Sequence, residues 1–188
     1  LRVLEKVNYF WFQVSCCDHC KVLLILARQN LKQETWNKKW KLFAIIDIET
    51  CGAKFDFRKG RIIEICIVRH DGLSVVDVWT TLINPECYIS PYFTNISHID
   101  NDMVRDAPKF HEVAKEIIER TEGCVFVAHN VGFDYSFVKD EFASLGFKYK
   151  KETLCTVRLS RKLIPGRISY SLGHLCASLG IEINGRHR

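Results

Sequence analysis

Asp47 and Glu49 stand two residues apart in Asp47-Ile-Glu49-Thr50, at the end of the apolar run Leu42-Phe-Ala-Ile-Ile-Asp-Ile. A strand alternates its side chains with period two, so both carboxylates point to the same side. Two carboxylates held a few Å apart repel unless one is protonated or a cation bridges them. Their oxygens suit hard cations such as Mg²⁺ or Mn²⁺. An isolated Asp-x-Glu is most simply an acidic strand end facing water. The residues before it argue otherwise, because a strand apolar on both faces is an interior strand of a covered sheet. The ends of such strands are where open α/β sheets place their ligands.

A second apolar run, Cys124-Val-Phe-Val-Ala, leads into His129-Asn130-Val-Gly-Phe133-Asp134 and then a helical stretch from Tyr135 to Leu145. Asp134 therefore falls at a strand-to-helix junction, where a carboxylate caps the helix or holds a metal. A third block, Tyr170-Ser-Leu-Gly-His-Leu-Cys-Ala-Ser-Leu-Gly-Ile, precedes Asn184-Gly185-Arg186-His187-Arg188. Charge adds a further signal. Lys148, Lys150, Lys151, Arg158, Arg161, Lys162 and Arg167 are set against only Glu152, so residues 148–167 net +6 while the whole chain nets +5 and the remainder sums to −1. A basic stretch beside a carboxylate site suits a phosphate backbone as well as it suits plain solvation.

Asp-x-Glu-Thr-x-Gly, then His-Asn-x-x-Phe-Asp, then a helix with a following His resembles, in that order, the DnaQ-like exonucleases of the DEDDh class, over about Lys41 to Arg188. The resemblance implies an α/β fold of the ribonuclease H-like kind, a mixed β-sheet flanked by α-helices. It implies a 3′–5′ exonuclease that hydrolyses DNA or RNA strands from the 3′ end to nucleoside 5′-monophosphates, with two divalent metal ions, Mg²⁺ or Mn²⁺. Asp47 would bridge both ions, Glu49 would bind the nucleophile-side ion, and Asp134 would serve the leaving-group ion. His187 would take the proton from the attacking water, a task suited to a pKa near neutrality. Thr50 and Gly52 would approach the terminal nucleotide through their backbone, while Asn130 and Phe133 would brace the site. Ser97 keeps the hydroxyl of the relatives' Thr-Gly-Ile, but His98 stands where they carry glycine. The family's fourth carboxylate lies five residues after the histidine, beyond Arg188. The chain as given is therefore expected to lack the full metal site and to end inside the domain.

Three readings follow. The first is a proofreading or DNA-repair exonuclease, partnered by a DNA polymerase or fused to a nuclease domain. The second is an RNA-processing exonuclease of the oligoribonuclease or RNase T kind. The third is a non-catalytic fragment that binds single-stranded DNA or RNA.

At 188 residues the chain is about one domain in size, and its 47% hydrophobic and 26% charged content is ordinary for a globular protein. Residues 1–40 carry unpatterned Cys, Trp and Lys and read as an N-terminal extension ahead of a 41–188 domain. Nine cysteines show no paired framework, which points to a reducing, cytoplasmic compartment. Cys16-Cys17-Asp18-His19-Cys20 lacks the spacing of a zinc site, and Val22-Leu-Leu-Ile-Leu-Ala27 is too short to span a bilayer. The remaining patterns predict strands at 42–48, 61–68 and 75–83, the last two joined by Asp71-Gly72. They also predict helices at 101–106, 109–120, 154–163 and 171–179.

Overall fold

A computed structural model describes residues 42–52, 60–72 and 74–181. The zinc-like Cys16–Cys20 cluster, the 22–27 run and His187 lie outside the described residues. Five strands make one sheet: β1 (Leu42–Thr50), β2 (Ile62–His70), β3 (Val75–Leu82), β4 (Cys124–Ala128) and β5 (Thr153–Cys155), in the order β3-β2-β1-β4-β5. β1, β2 and β3 pair antiparallel, while β4 and β5 run parallel to β1. This is the expected mixed sheet, with the Asp47-Ile-Glu49 strand at its centre.

Alternation along β1 sorts its side chains between two cores. Ala44, Ile46 and Ile48 join Ile65, Ile67 and Phe126 on one face, under the helices α3 (Phe110–Thr121) and α4 (Gly132–Ser144). Ile45 joins Cys66, Val68, Val125 and Val127 on the other. Asp47 and Glu49 continue the Ile45 row, opposite Cys66 and Glu64 of β2, so the period-two argument holds.

The helices follow from local signals. In α3, Phe110, Val113, Ile117 and Thr121 are buried at helical spacing, and Glu112 reaches back to accept from the Lys109 N–H at 2.7 Å. In α4, Phe142 stacks on Tyr149 with ring centroids 4.7 Å apart and meets Phe110 edge-on at 5.1 Å. Two short helices, α1 (Pro91–Ser97) and α2 (Asn101–Val104), bridge β3 and α3. The last two, α5 (Thr156–Leu163) and α6 (Leu172–Leu179), pack on each other through Leu159, Leu175 and Cys176 and meet the sheet at Leu154.

Two departures from the sequence reading have simple causes. Helix α1 escaped the pattern because only seven residues form it; Pro91 at its first position supplies the start signal. The stretch 154–163, read as wholly helical, opens as β5, since Phe126 donates to Glu152 O and brings the chain alongside β4. A strand of three residues carries no readable period.

Candidate active site

The carboxyl ends of β1 and β4, parallel neighbours, bring the first two sequence blocks to one edge of the sheet. β1 delivers Asp47 and Glu49, both half-buried. After β4, Asn130 turns the chain with φ 66°, a left-handed conformation that asparagine tolerates, and its carbonyl accepts from the Phe133 N–H at 2.9 Å. Helix α4 then starts at Gly132, earlier than the sequence suggested, which puts Asp134 inside its first turn.

Asp134 is the electrostatic centre of this edge. Its side chain is 5% exposed, and its pKa is raised to about 8. Burial is the main cause, followed by the negative charge of Asp47 and, more weakly, that of Glu49. Its own N–H and that of Ile48 pull in the opposite direction. The Ile48 N–H lies between the two strand carboxylates, so Asp134 is fastened to the segment that carries them. The three acidic residues share one field.

The donor set fits a divalent cation. The oxygens are of the hard type that Mg²⁺ and Mn²⁺ select, and a carboxyl pushed toward its protonated form by burial first and by anionic neighbours second is relieved by a positive charge. Among the described residues, no three His, Cys, Asp or Glu side chains are drawn up closely enough to hold an ion as they stand.

The surrounding residues divide into those that face the opening and those that brace it. Thr50 Oγ1 donates to Gly52 O at 3.0 Å, shaping the strand end. A Cβ on Gly52 would lie 2.8 Å from Gly60 Cα, so the close approach this glycine permits is to the backbone of Gly60. Arg61, next along, donates from Nε to buried Glu141 Oε1 at 2.7 Å, and the Ile62 N–H reaches the same oxygen at 3.3 Å. That pair ties the start of β2 to α4 across 80 residues of sequence, and sequence reading missed it. Phe133 is 39% exposed and leans on Phe137 with centroids 4.9 Å apart, while Asn130 is exposed at the turn.

Ser97 sits at the end of α1. It is buried, its hydroxyl donates to Phe93 O at 3.0 Å, and it accepts from the Ile99 N–H at 3.2 Å, so both bonds lie inside the turn. His98 follows with φ 58°, the left-handed conformation at the end of α1. That geometry explains why glycine suits this position and marks His98 as strained.

His129 braces the far side. Nδ1 lies 3.0 Å from Thr156 Oγ1 and Nε2 lies 3.0 Å from the Tyr170 carbonyl, which fixes Nε2 as the donor. Beside it a hollow of about 530 Å³ is lined by His129, Asn130, Val157, Arg161 and Tyr170. The basic stretch is split by the fold. Lys148–Lys151 precede β5, at the edge away from Asp47, and Lys151 is spent on Thr121 O at 2.8 Å. Arg158, Arg161, Lys162 and Arg167 follow β5 and are exposed, with Arg161 lying over the Tyr170 ring at 5.6 Å.

The mixed five-stranded sheet flanked by helices is the ribonuclease H-like fold, and the comparisons give the class as exonuclease. The RNase T family, described as "Exonuclease", matches residues 44–188. The solved structure described as Exonuclease X in complex with 5′ overhanging duplex DNA aligns with TM-score 0.59 and 30% identity, over 77% of this chain and 76% of that one. The nuclease domain of 3′hExo, a DEDDh family member, bound to rAMP, has the same fold at TM-score 0.68 and 18% identity, covering 80% and 84%. Among curated proteins, the 3′-5′ exonuclease DinG of Staphylococcus saprophyticus is 34% identical over 147 residues, 78% of this chain and 16% of that protein. Its counterpart in Staphylococcus aureus is 33% identical over the same length and shares. The chain thus spans 16% of the length of these curated relatives. The chain belongs to the DnaQ-like exonuclease family, hydrolases that act on nucleic acids.

Proposed function

We propose that this chain is a metal-dependent exonuclease domain that shortens nucleic-acid strands from the 3′ end and releases nucleoside 5′-monophosphates. The observation that carries the reading is the burial of Asp134 in the field of Asp47 and Glu49, bonded to the Ile48 N–H between them.

Each residue has a part that its placement supports. Asp47, Glu49 and Asp134 would hold two divalent ions, Mg²⁺ or Mn²⁺. When bound, these ions polarise the phosphate, lower the pKa of the attacking water and stabilise the departing oxygen. Burial, and after it the charge of Asp47, hold the Asp134 carboxyl toward its protonated form, so a bound cation would draw that proton off. His187 would accept the proton of the attacking water. The strand end at Thr50 and Gly52, braced by Gly60, presents rigid backbone to the terminal sugar and phosphate. Asn130 and Phe133 border the opening, and Arg158, Arg161, Lys162 and Arg167 lie downstream of β5 as phosphate contacts for the rest of the strand.

DNA is the favoured substrate, because the relative at 30% identity was solved with duplex DNA. Incubation of the purified protein with a 5′-labelled DNA strand and Mn²⁺ tests the reading. A ladder that shortens stepwise and stops with EDTA supports it. Cleavage that leaves only the label as a mononucleotide, or a DNA strand left intact while a matched 5′-labelled RNA strand is shortened, refutes it.

A further inference from the structure

Next to the proposed site, Cys51 and Cys87 bring their sulfurs to 3.2 Å across 36 residues of sequence, and both are free thiols. Neither belongs to the carboxylate cluster. Cys51 is buried between Thr50 and Gly52, and its backbone N–H donates to Arg61 O at 3.0 Å. Its sulfur also accepts from the Arg61 N–H at 3.3 Å. Cys87 is exposed in the loop between β3 and α1, on a hollow of about 590 Å³ that it shares with Arg61, Glu86 and Glu141. A small oxidant in solvent therefore reaches Cys87 directly.

We propose that Cys51 and Cys87 form an oxidation site, a reversible disulfide that staples the end of β1 to the loop leading into α1. The sulfurs have to close from 3.2 Å to about 2.05 Å, and the two ends differ in how freely they move. Cys51 is held by the Arg61 bonds and by the contact of Gly52 with Gly60. Glu86 is tied to Lys109 and to Asn84 Oδ1, and Ile89 to Asn101, so the Cys87 loop is fixed on both flanks while its tip lies at the surface. Closure is a side-chain movement of Cys87 toward a fixed Cys51.

With hydrogen peroxide as the oxidant the step balances as follows. The Cys87 sulfur takes an OH from the peroxide as the O–O bond breaks, and its own proton leaves with the other oxygen as water. The Cys51 sulfur displaces that OH, which takes the Cys51 proton as a second water, and the S–S bond forms. Two thiols are oxidised by two electrons and one peroxide is reduced. The Cys87 sulfur is turned partly inward, and burial, then its hydrogen bond to Cys51, pushes its pKa up to about 12. Thiolate is therefore scarce and the pair oxidises slowly, as a structural staple would and a rapid peroxide sensor would not.

Peptide mapping after hydrogen peroxide treatment, with free thiols alkylated, tests the site. A Cys51–Cys87 linked peptide should appear, dithiothreitol should remove it, and Tm should rise by about 5–15 °C in the oxidised protein. Cys87→Ser, at an exposed position, keeps the fold and should lose both the linked peptide and the Tm rise. Cys51→Ala, the second variant, should do the same. Recovery of Cys51 unmodified after oxidation, a link from either cysteine to a different one, or a Tm rise that persists in Cys87→Ser overturns the proposal.

Discussion

Asp134 accepts the backbone N–H of Ile48, the residue between Asp47 and Glu49, so a helix first turn and a strand end form one acidic unit. The contact fixes where the third carboxylate sits relative to the other two. It also places a group with a pKa of about 8 inside the fold.

The pH dependence follows with a definite sign. An aspartate whose folded pKa is raised from 3.8 to about 8 stabilises the fold fully below pH 4. That contribution is lost as pH rises through 8, because the native state then binds more protons than the unfolded one. In EDTA, Tm should fall between pH 5 and pH 8.5, and Asp134→Asn should flatten that fall. At pH 8.5 the variant should melt at least roughly 5 °C above the wild type. Calorimetric scans across pH check this; a wild-type Tm that climbs from pH 5 to 8.5 contradicts it.

Gly60 offers a steric test of the strand end. A Cβ at this position would lie 2.7 Å from Gly52 Cα, against backbone that cannot rotate away. Gly60→Ala should cost about 1–3 kcal/mol in urea unfolding and reduce nuclease activity, as in an overpacked core. A variant as stable and active as the wild type would show that the strand end tolerates displacement.

His98 offers the opposite change. It holds φ 58° at the end of α1, where glycine carries no penalty from a Cβ. His98→Gly should stabilise the protein by about 1 kcal/mol, read as a higher urea midpoint at unchanged slope. A lower midpoint would mean that the imidazole makes contacts worth more than the strain.

His187 carries the general-base proposal. His187→Ala should slow 3′-end hydrolysis by about 10²–10⁴-fold with little change in metal requirement. Single-turnover rates across pH 6 to 9 check it, because the ascending limb in the wild type should vanish in the variant. A wild-type rate in the variant removes His187 from the role.

Much of this was legible because it is local. The period of two in β1 placed Asp47 and Glu49 together, and a helical period gave Phe110, Val113 and Ile117 as one buried face. What was hidden is either short or distant. β5 has three residues and no period to read. The Arg61–Glu141 pair, the Cys51–Cys87 approach and the Gly52–Gly60 contact depend on tertiary folding. Ser97 keeps the hydroxyl of the relatives' pattern, and only the fold shows that hydroxyl bonded inside the turn that His98 completes. The basic stretch looked continuous until β5 divided it between the two ends of that strand.

The central claim is that Asp47, Glu49 and Asp134 act together as a divalent-metal site for 3′-end hydrolysis. Mn²⁺ titration by isothermal calorimetry, run beside hydrolysis of a 5′-labelled strand on the same preparations, tests it most directly. Asp47→Asn should weaken Mn²⁺ binding and reduce stepwise 3′ shortening by at least about 10³-fold, since several kcal/mol of transition-state stabilisation depend on the cation. Unchanged Mn²⁺ affinity together with wild-type shortening in Asp47→Asn would contradict the account.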